Sequence, residues 1–266
     1  MAGRLYVGCD MDAAEVRLLA GGRAAVYSTH HPERDGPNQD SAGLIELGPT
    51  GVVLIVADGL GGLAGGATAS QLAVQELHKS LGRWEPSQGS LRGAMLDGFE
   101  QANGAVLADG SAGATTLAAA EIADGTLRPY HVGDSEILVV GQRGRVKLRT
   151  VSHSPVGYAV ESGMLDADEA LHHDERHVVS NTVGDTEMRI EVGSRLRLAA
   201  HDTVLLATDG LFDNMTHEEI VESIRIGSIE RAADRLAALC RTRMVEPRDG
   251  QPSKPDDVTF ILFRRR

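Results

Sequence analysis

Aromatic residues are scarce in this chain: they make up 3% of 266 residues, so a core has to be built from Val, Leu, Ile, Ala and Met. Trp84, the only tryptophan, follows a helical stretch and reads as a packing residue. Cysteine is scarcer still, and Cys9 and Cys240 make neither a disulfide framework nor a Cys-rich zinc site, which points to a reducing cytoplasm. Positive charge is in deficit, with 26 basic against 38 acidic residues and a net charge of −12. Counterion-release binding needs clustered positive charge, so no nucleic-acid partner is expected. No apolar run approaches the roughly 20 residues of a membrane span. Asp10, Asp12 and Glu15 interrupt the region where a signal peptide would be apolar, so the expectation is a soluble, unexported chain without a membrane partner. What is abundant is aliphatic: 42% of residues are hydrophobic, enough for a sizeable core.

Short β-branched runs recur at Ala24–Ser28, Val52–Ala57, Thr115–Ile122, Leu127–Val132, Ile137–Val140, Val146–Val151, Thr203–Thr208 and Val258–Phe263. These predict strands. Gly125, Gly141 and Gly144 separate the middle runs too closely for intervening helices, which predicts an antiparallel meander there. Helical periodicity covers Ala67–Leu81 and Leu91–Leu107; Thr216 reads as an N-cap for His217–Ile224, and a further helix follows over Ser228–Arg243. Glu246–Pro255, with three prolines, reads as the loosest surface loop. The expected fold is α+β, a central antiparallel β-sandwich of two sheets flanked by helix pairs, in one domain spanning residues 1–266.

The informative pattern is an aspartate set beside glycine at the end of an apolar strand: Asp58-Gly59, Asp209-Gly210 and Gly133-Asp134. Half-buried carboxylates that converge repel one another and require a cation. Oxygen ligands without a His or Cys cluster favour Mg²⁺ or Mn²⁺ over Zn²⁺. Each Asp-Gly taken alone also reads as a turn. The segment Gly59-Leu60-Gly61-Gly62-Leu63-Ala64 satisfies a dinucleotide fingerprint, but the acidic residue expected at the end of a second parallel strand is missing, and Asp58 would oppose a pyrophosphate.

The strings Pro37-Asn38-Gln39-Asp40-Ser41, Val56-Ala57-Asp58-Gly59-Leu60-Gly61-Gly62, Gly113-Ala114-Thr115-Thr116, Val132-Gly133-Asp134-Ser135, Ala207-Thr208-Asp209-Gly210-Leu211-Phe212-Asp213-Asn214 and Asp256-Asp257-Val258-Thr259 come in this order. Together they resemble the PP2C (PPM) family of metal-dependent protein serine/threonine phosphatases, in its bacterial form. The resemblance implies a two-ion Mn²⁺ or Mg²⁺ centre held by Asp40, Asp58, the Gly59 carbonyl, Asp209 and Asp256, with Asp40, Asp58 and Asp209 as its catalytic core. It also implies a looser third ion near Asp134 and Asp209, and a flap over residues 152–193. The activity implied is hydrolysis of phosphoserine and phosphothreonine in protein partners by a cation-activated water, in a signalling enzyme expected to act as a cytoplasmic monomer.

Three positions depart from the family pattern. The arginine expected five residues before Asp40 is Asp35 here, and Arg34 is expected to reach the substrate phosphate if Asp35-Gly36-Pro37 loops out. Leu63 stands where bacterial relatives often carry histidine, and Glu136 follows Gly133-Asp134-Ser135 where arginine is usual. Asp35 and Leu63 leave open a catalytically weak or inactive binding or sensing module on the same fold. His30, His31, His172, His173 and His177 fall at no ligand position that the family implies and are expected in solvated loops.

Overall fold

The computed structural model of the chain describes residues 3–49, 51–60, 63–87, 89–166, 169–170, 173–175 and 178–265. Its strands, numbered in chain order, build two antiparallel sheets. In the first, β1 (Gly3–Val7), β4 (Ser41–Glu46), β5 (Gly51–Ala57), β8 (Leu117–Ala123), β9 (Thr126–Val132) and β12 (Glu191–Val192) lie side by side, and β13 (Leu196–Arg197) also pairs with β9. In the second the order is β11 (Val146–Arg149), β10 (Glu136–Val140), β14 (Thr203–Ala207), β15 (Val258–Arg265), β3 (Gly22–Thr29) and β2 (Glu15–Leu19). A short ribbon joins β6 (Gly59–Leu60) to β7 (Ala114–Thr115).

The central strands are apolar at every position because both of their faces are covered. Val52, Leu54 and Val56 of β5 point into the gap between the sheets, where they meet Ala118, Ala120, Val204, Leu206 and Ile261. Val53, Ile55 and Ala57 point the other way, against Leu77, Leu81, Met95, Phe99 and Val106 of α1 (Leu63–Arg83) and α2 (Leu91–Ala108). On the opposite outer face, Leu205, Phe260 and Leu262 pack under further helices. Three short or medium helices, α3 (Pro155–Glu161), α4 (Asp209–Phe212) and α5 (His217–Ile224), precede the long α6 (Ile229–Val245), and α5 and α6 form that second layer. Thr216 caps α5 through a reciprocal box with Glu219, each side chain taking the other's backbone N–H. Trp84 follows α1, its indole N–H donating to the Gly89 carbonyl at 3.0 Å. The layered α+β expectation therefore holds.

Two expectations fail locally. The middle runs do not form one meander: β8 and β9 belong to the first sheet, β10 and β11 to the second, and the chain changes sheets at Gly133-Asp134-Ser135. Gly133 makes the crossing with φ +100°, and a Cβ there would meet the Thr116 side chain at 2.6 Å. The run Thr115–Ile122 breaks at Thr116, leaving β7 in the ribbon and β8 in the sheet.

Candidate metal centre

Where the strands of the two sheets end side by side, the chain places its acidic residues. Asp40 immediately precedes β4, Asp58 follows β5, Asp134 lies in the crossover before β10, Asp209 opens α4 beyond β14, and Asp256 comes two residues before β15. Their backbones are fixed by hydroxyls and amides drawn from the motif strings. The Asp58 N–H donates to Thr116 Oγ1 at 2.9 Å, and its carbonyl accepts from Thr115 Oγ1 at 2.7 Å and from the Thr116 N–H at 2.8 Å. The Asp40 N–H donates to Asn38 Oδ1 at 2.8 Å, and Asn38 Nδ2 donates in turn to the Cys9 carbonyl at 2.7 Å. Gly59 sits so close to the chain that a Cβ would meet the Gly66 carbonyl oxygen at 2.2 Å. Its missing side chain is a packing requirement as well as an opening for a ligand.

The electrostatics are those of an acidic cage. Burial raises the Asp40 carboxyl well above its usual range, and Asp257, Asp256 and Asp209 add to that against a hydrogen bond from Thr208 Oγ1 at 2.8 Å. Asp58 is raised in the same way by burial, then by Asp209, Asp40 and Asp256. Burial followed by Asp209 pushes Asp134 up to about 8 and raises Asp256 as well. Asp40 Oδ1 and Asp134 Oδ1 are both fully buried and have no hydrogen-bond partner among the described residues. A buried, unpartnered carboxylate oxygen is costly unless a cation meets it. The donor set, all oxygen, fits a hard divalent ion.

Three residues near this cage had escaped sequence reading. Lys254 Nζ donates to Asp213 Oδ2 at 2.6 Å and Asp209 Oδ2 at 3.3 Å, and pairs with Asp256 Oδ2 at 3.1 Å. Burial disfavours its charge, but the three carboxylates outweigh burial and raise its pKa. The loop expected to be loosest thus ends inside the site, and Asn214 fastens it by donating to the Lys254 carbonyl at 2.7 Å and accepting from its N–H at 2.9 Å. Asp257 is the third: only 4% exposed, it accepts from the backbone N–H of His31 at 2.8 Å and of Gln39 at 3.1 Å. It also holds the Arg34 guanidinium in an ion pair. The doublet Asp256-Asp257 just before a strand was the signal available for it.

That pair changes the reading of Arg34. The loop does turn at Gly36, with φ +139°, and one guanidinium nitrogen of Arg34, Nη2, engages Asp257 while the side chain stays partly exposed.

The segment that follows β11 is stapled to the Asp134 crossover by His153. Its Nδ1 accepts from the Gly133 N–H at 3.1 Å and from Asn181 Nδ2 at 2.8 Å, and the His153 backbone N–H donates to the Gly133 carbonyl at 3.0 Å. His131, His153 and Glu191 bring possible ligand atoms within 4.8 Å of one another. With two N–H donors on Nδ1, however, the proton of His153 sits on Nε2 and faces Glu191 at 3.2 Å, so the cluster serves as a staple. Beside it, a cavity of about 320 Å³ is lined by Glu136, Val156, Val160, Phe212, Asp213 and His217, and His217 Nε2 meets Glu136 at 3.0 Å. His30 pairs with Asp10, and His31 Nδ1 accepts from the Glu33 N–H; His172 and His177 lie outside the described residues.

The sequence profile described as protein phosphatase 2C matches residues 28–244. The chain is 30% identical over 217 residues to the serine/threonine protein phosphatase PstP of Mycobacterium tuberculosis, a match that covers 79% of this chain and 40% of that relative's length. Among solved structures, the S. agalactiae serine/threonine phosphatase superposes with a TM-score of 0.77 at 25% identity, covering 91% of this chain and 99% of that one. The catalytic domain of PstP in complex with two manganese ions gives 0.71 at 27% identity, covering 91% and 97%.

Proposed function

The chain belongs to the protein phosphatase 2C family, and from that premise we propose that it removes phosphate from phosphoserine and phosphothreonine in protein substrates. The observation that carries this reading is the meeting of Asp40, Asp58, Asp209 and Asp256 from both sheets around an orphaned Asp40 oxygen. Asp40, Asp58, the Gly59 carbonyl, Asp209 and Asp256 would hold two Mn²⁺ or Mg²⁺ ions, and Asp134 with Asp209 offers a looser outer position. When bound, such ions activate water for in-line attack on phosphorus and offset the charge of the phosphoryl oxygens.

The protein's own contribution is placement. Thr208 holds one oxygen of Asp40, which turns the other toward the centre, and Thr115 and Thr116 fix the backbone that carries Asp58. No cysteine competes as a nucleophile: burial pushes the Cys240 thiol up to about 12 and raises that of Cys9. The two free thiols fit the reducing cytoplasm in which a phosphoprotein substrate would be met. The cavity between the flap and α5 is the place for substrate residues beside the phosphorylated one.

Hydrolysis of p-nitrophenyl phosphate and of a phosphothreonine peptide, with Mn²⁺ and after removal of metal by EDTA, tests the reading. Turnover that requires the ion supports it, and turnover undiminished in excess EDTA overturns it. Engagement of Arg34 by Asp257 favours one narrower version, a slow enzyme or binding module that relies on ions alone to hold phosphate. Metal-dependent phosphopeptide binding with negligible turnover in the same assays would select it.

A further inference from the structure

The outer edge of the acidic cage already contains a cation of its own. The Lys254 ammonium forms ion pairs with three carboxylate oxygens, from Asp213 at 2.6 Å, Asp256 at 3.1 Å and Asp209 at 3.3 Å. The lysine cannot simply swing away with its loop. Asn214 clamps its backbone in both directions and also donates to the Gly210 carbonyl at 2.8 Å, so the lysine and the turn carrying Asp209 and Asp213 form one unit. Asp209 is the carboxylate that this lysine shares with the looser outer position beside Asp134. The positive charge of Lys254 is felt at Asp134 too, where it opposes the effects of burial, Asp209 and Asp213. Asp134, only 9% exposed, still keeps one oxygen unpartnered, so the outer position retains a built ligand that the lysine does not satisfy.

We infer that Lys254 is a tethered counter-cation that displaces the outer divalent ion, so that this chain fills with two ions and admits a third at Asp134 and Asp209 only when the lysine is removed. The inference rests on the metal-centre reading above. A divalent ion bound through Asp134 and Asp209 would face the ammonium as a like charge across a shared carboxylate, and the ammonium would have to give up two charge-assisted hydrogen bonds and a third ion pair to leave. Removing the lysine does the reverse. It removes the ammonium from Asp209, Asp213 and Asp256 and takes one positive charge away from the position, which raises its affinity for a cation.

Counting bound Mn²⁺ on the full chain, by equilibrium dialysis followed by elemental analysis, tests this without reference to activity. The wild type is expected to saturate at two ions per chain, Lys254→Met at three, and Lys254→Met with Asp134→Asn at two again. A third ion on the wild type overturns the inference, as does a count of two on a folded Lys254→Met. Should Lys254→Met fail to fold without metal, Lys254→Met with Asp213→Asn removes one cation together with one carboxylate, and the same count of three is expected from it. Two ions on that folded variant overturn the inference as well. A wild type that takes up no Mn²⁺ overturns the metal-centre reading itself, whereas two ions on both the wild type and its variants overturn only the role of Lys254.

Discussion

The two sheets supply unequal halves of the acidic cage. Asp40 and Asp58, carried by β4 and β5, are held by backbone and hydroxyl groups and form no ion pair with a cationic side chain among the described residues. Asp209 and Asp256, carried by β14 and β15, share the ammonium of Lys254 with Asp213. Both halves use the same residue type at the same place on a strand, so position alone does not decide how a carboxylate behaves. What differs is whether the fold has brought a counter-charge with it. On the proposed reading the first half needs an added ion, whereas the second already has a cation within reach.

The largest expected effects would break that symmetry of residue type. Asp58→Asn and Asp209→Asn should each lower kcat/KM for a phosphothreonine peptide by at least about 100-fold, since each removes a charge that holds the ions. Melting curves of the metal-free proteins should separate them. Asp58→Asn relieves uncompensated repulsion and raises the Tm, whereas Asp209→Asn takes a partner from Lys254 and leaves the Tm level or lower. Near wild-type turnover in either variant would remove that residue from the centre, and a rise in Tm for both would erase the difference between the halves.

A smaller effect concerns pH. Asp40, Asp58, Asp134 and Asp256 all bind their protons more tightly in the folded chain than the usual aspartate value of 3.8. A raised carboxyl contributes stability that is fully present below its unfolded pKa and is lost as pH climbs through the folded one, which for Asp134 is about 8. The metal-free Tm should therefore fall by roughly 5 °C or more between pH 5 and pH 8. Saturating Mn²⁺ should flatten the slope, and Asp134→Asn should reduce it without metal. A metal-free Tm that rises over this interval would contradict the cage.

The smallest effect on turnover belongs to Arg34. With its guanidinium on Asp257, Arg34→Ala should change KM less than twofold while costing about 1–3 kcal/mol of stability, because a buried carboxylate loses its cation but keeps two N–H donors. Arg34→Ala with Asp257→Asn should recover most of that stability. A tenfold rise in KM with an unchanged Tm would instead place the guanidinium on the substrate phosphate.

Legibility in the sequence followed burial. Strands covered on both faces announced themselves as unbroken apolar runs, and β5 and β14 were read almost to the residue. The edge strand β2 did not, since it alternates charge with Val16 and Leu18 that remain exposed, and the inner strand β4 escaped despite its burial because Ser41, Ala42 and Gly43 interrupt its apolar run. The change of sheet at Gly133 was invisible because even spacing between turns says nothing about which neighbour a strand chooses. In the site, carboxylates at strand ends were legible from position. Lys254 and the Arg34–Asp257 pair were not, since each depends on two loops meeting across 40 or more residues of sequence.

The solitary indole at the end of α1 gives the molecule an optical bias. Emission from Trp84 reports the side of the sandwich covered by α1 and α2, and the α5–α6 side contributes no tryptophan signal. Helical circular dichroism sums both sides. Superimposable melting curves from the two probes would mean that both outer layers come apart in one cooperative event, and an early emission change would mark the α1–α2 layer as the first to loosen.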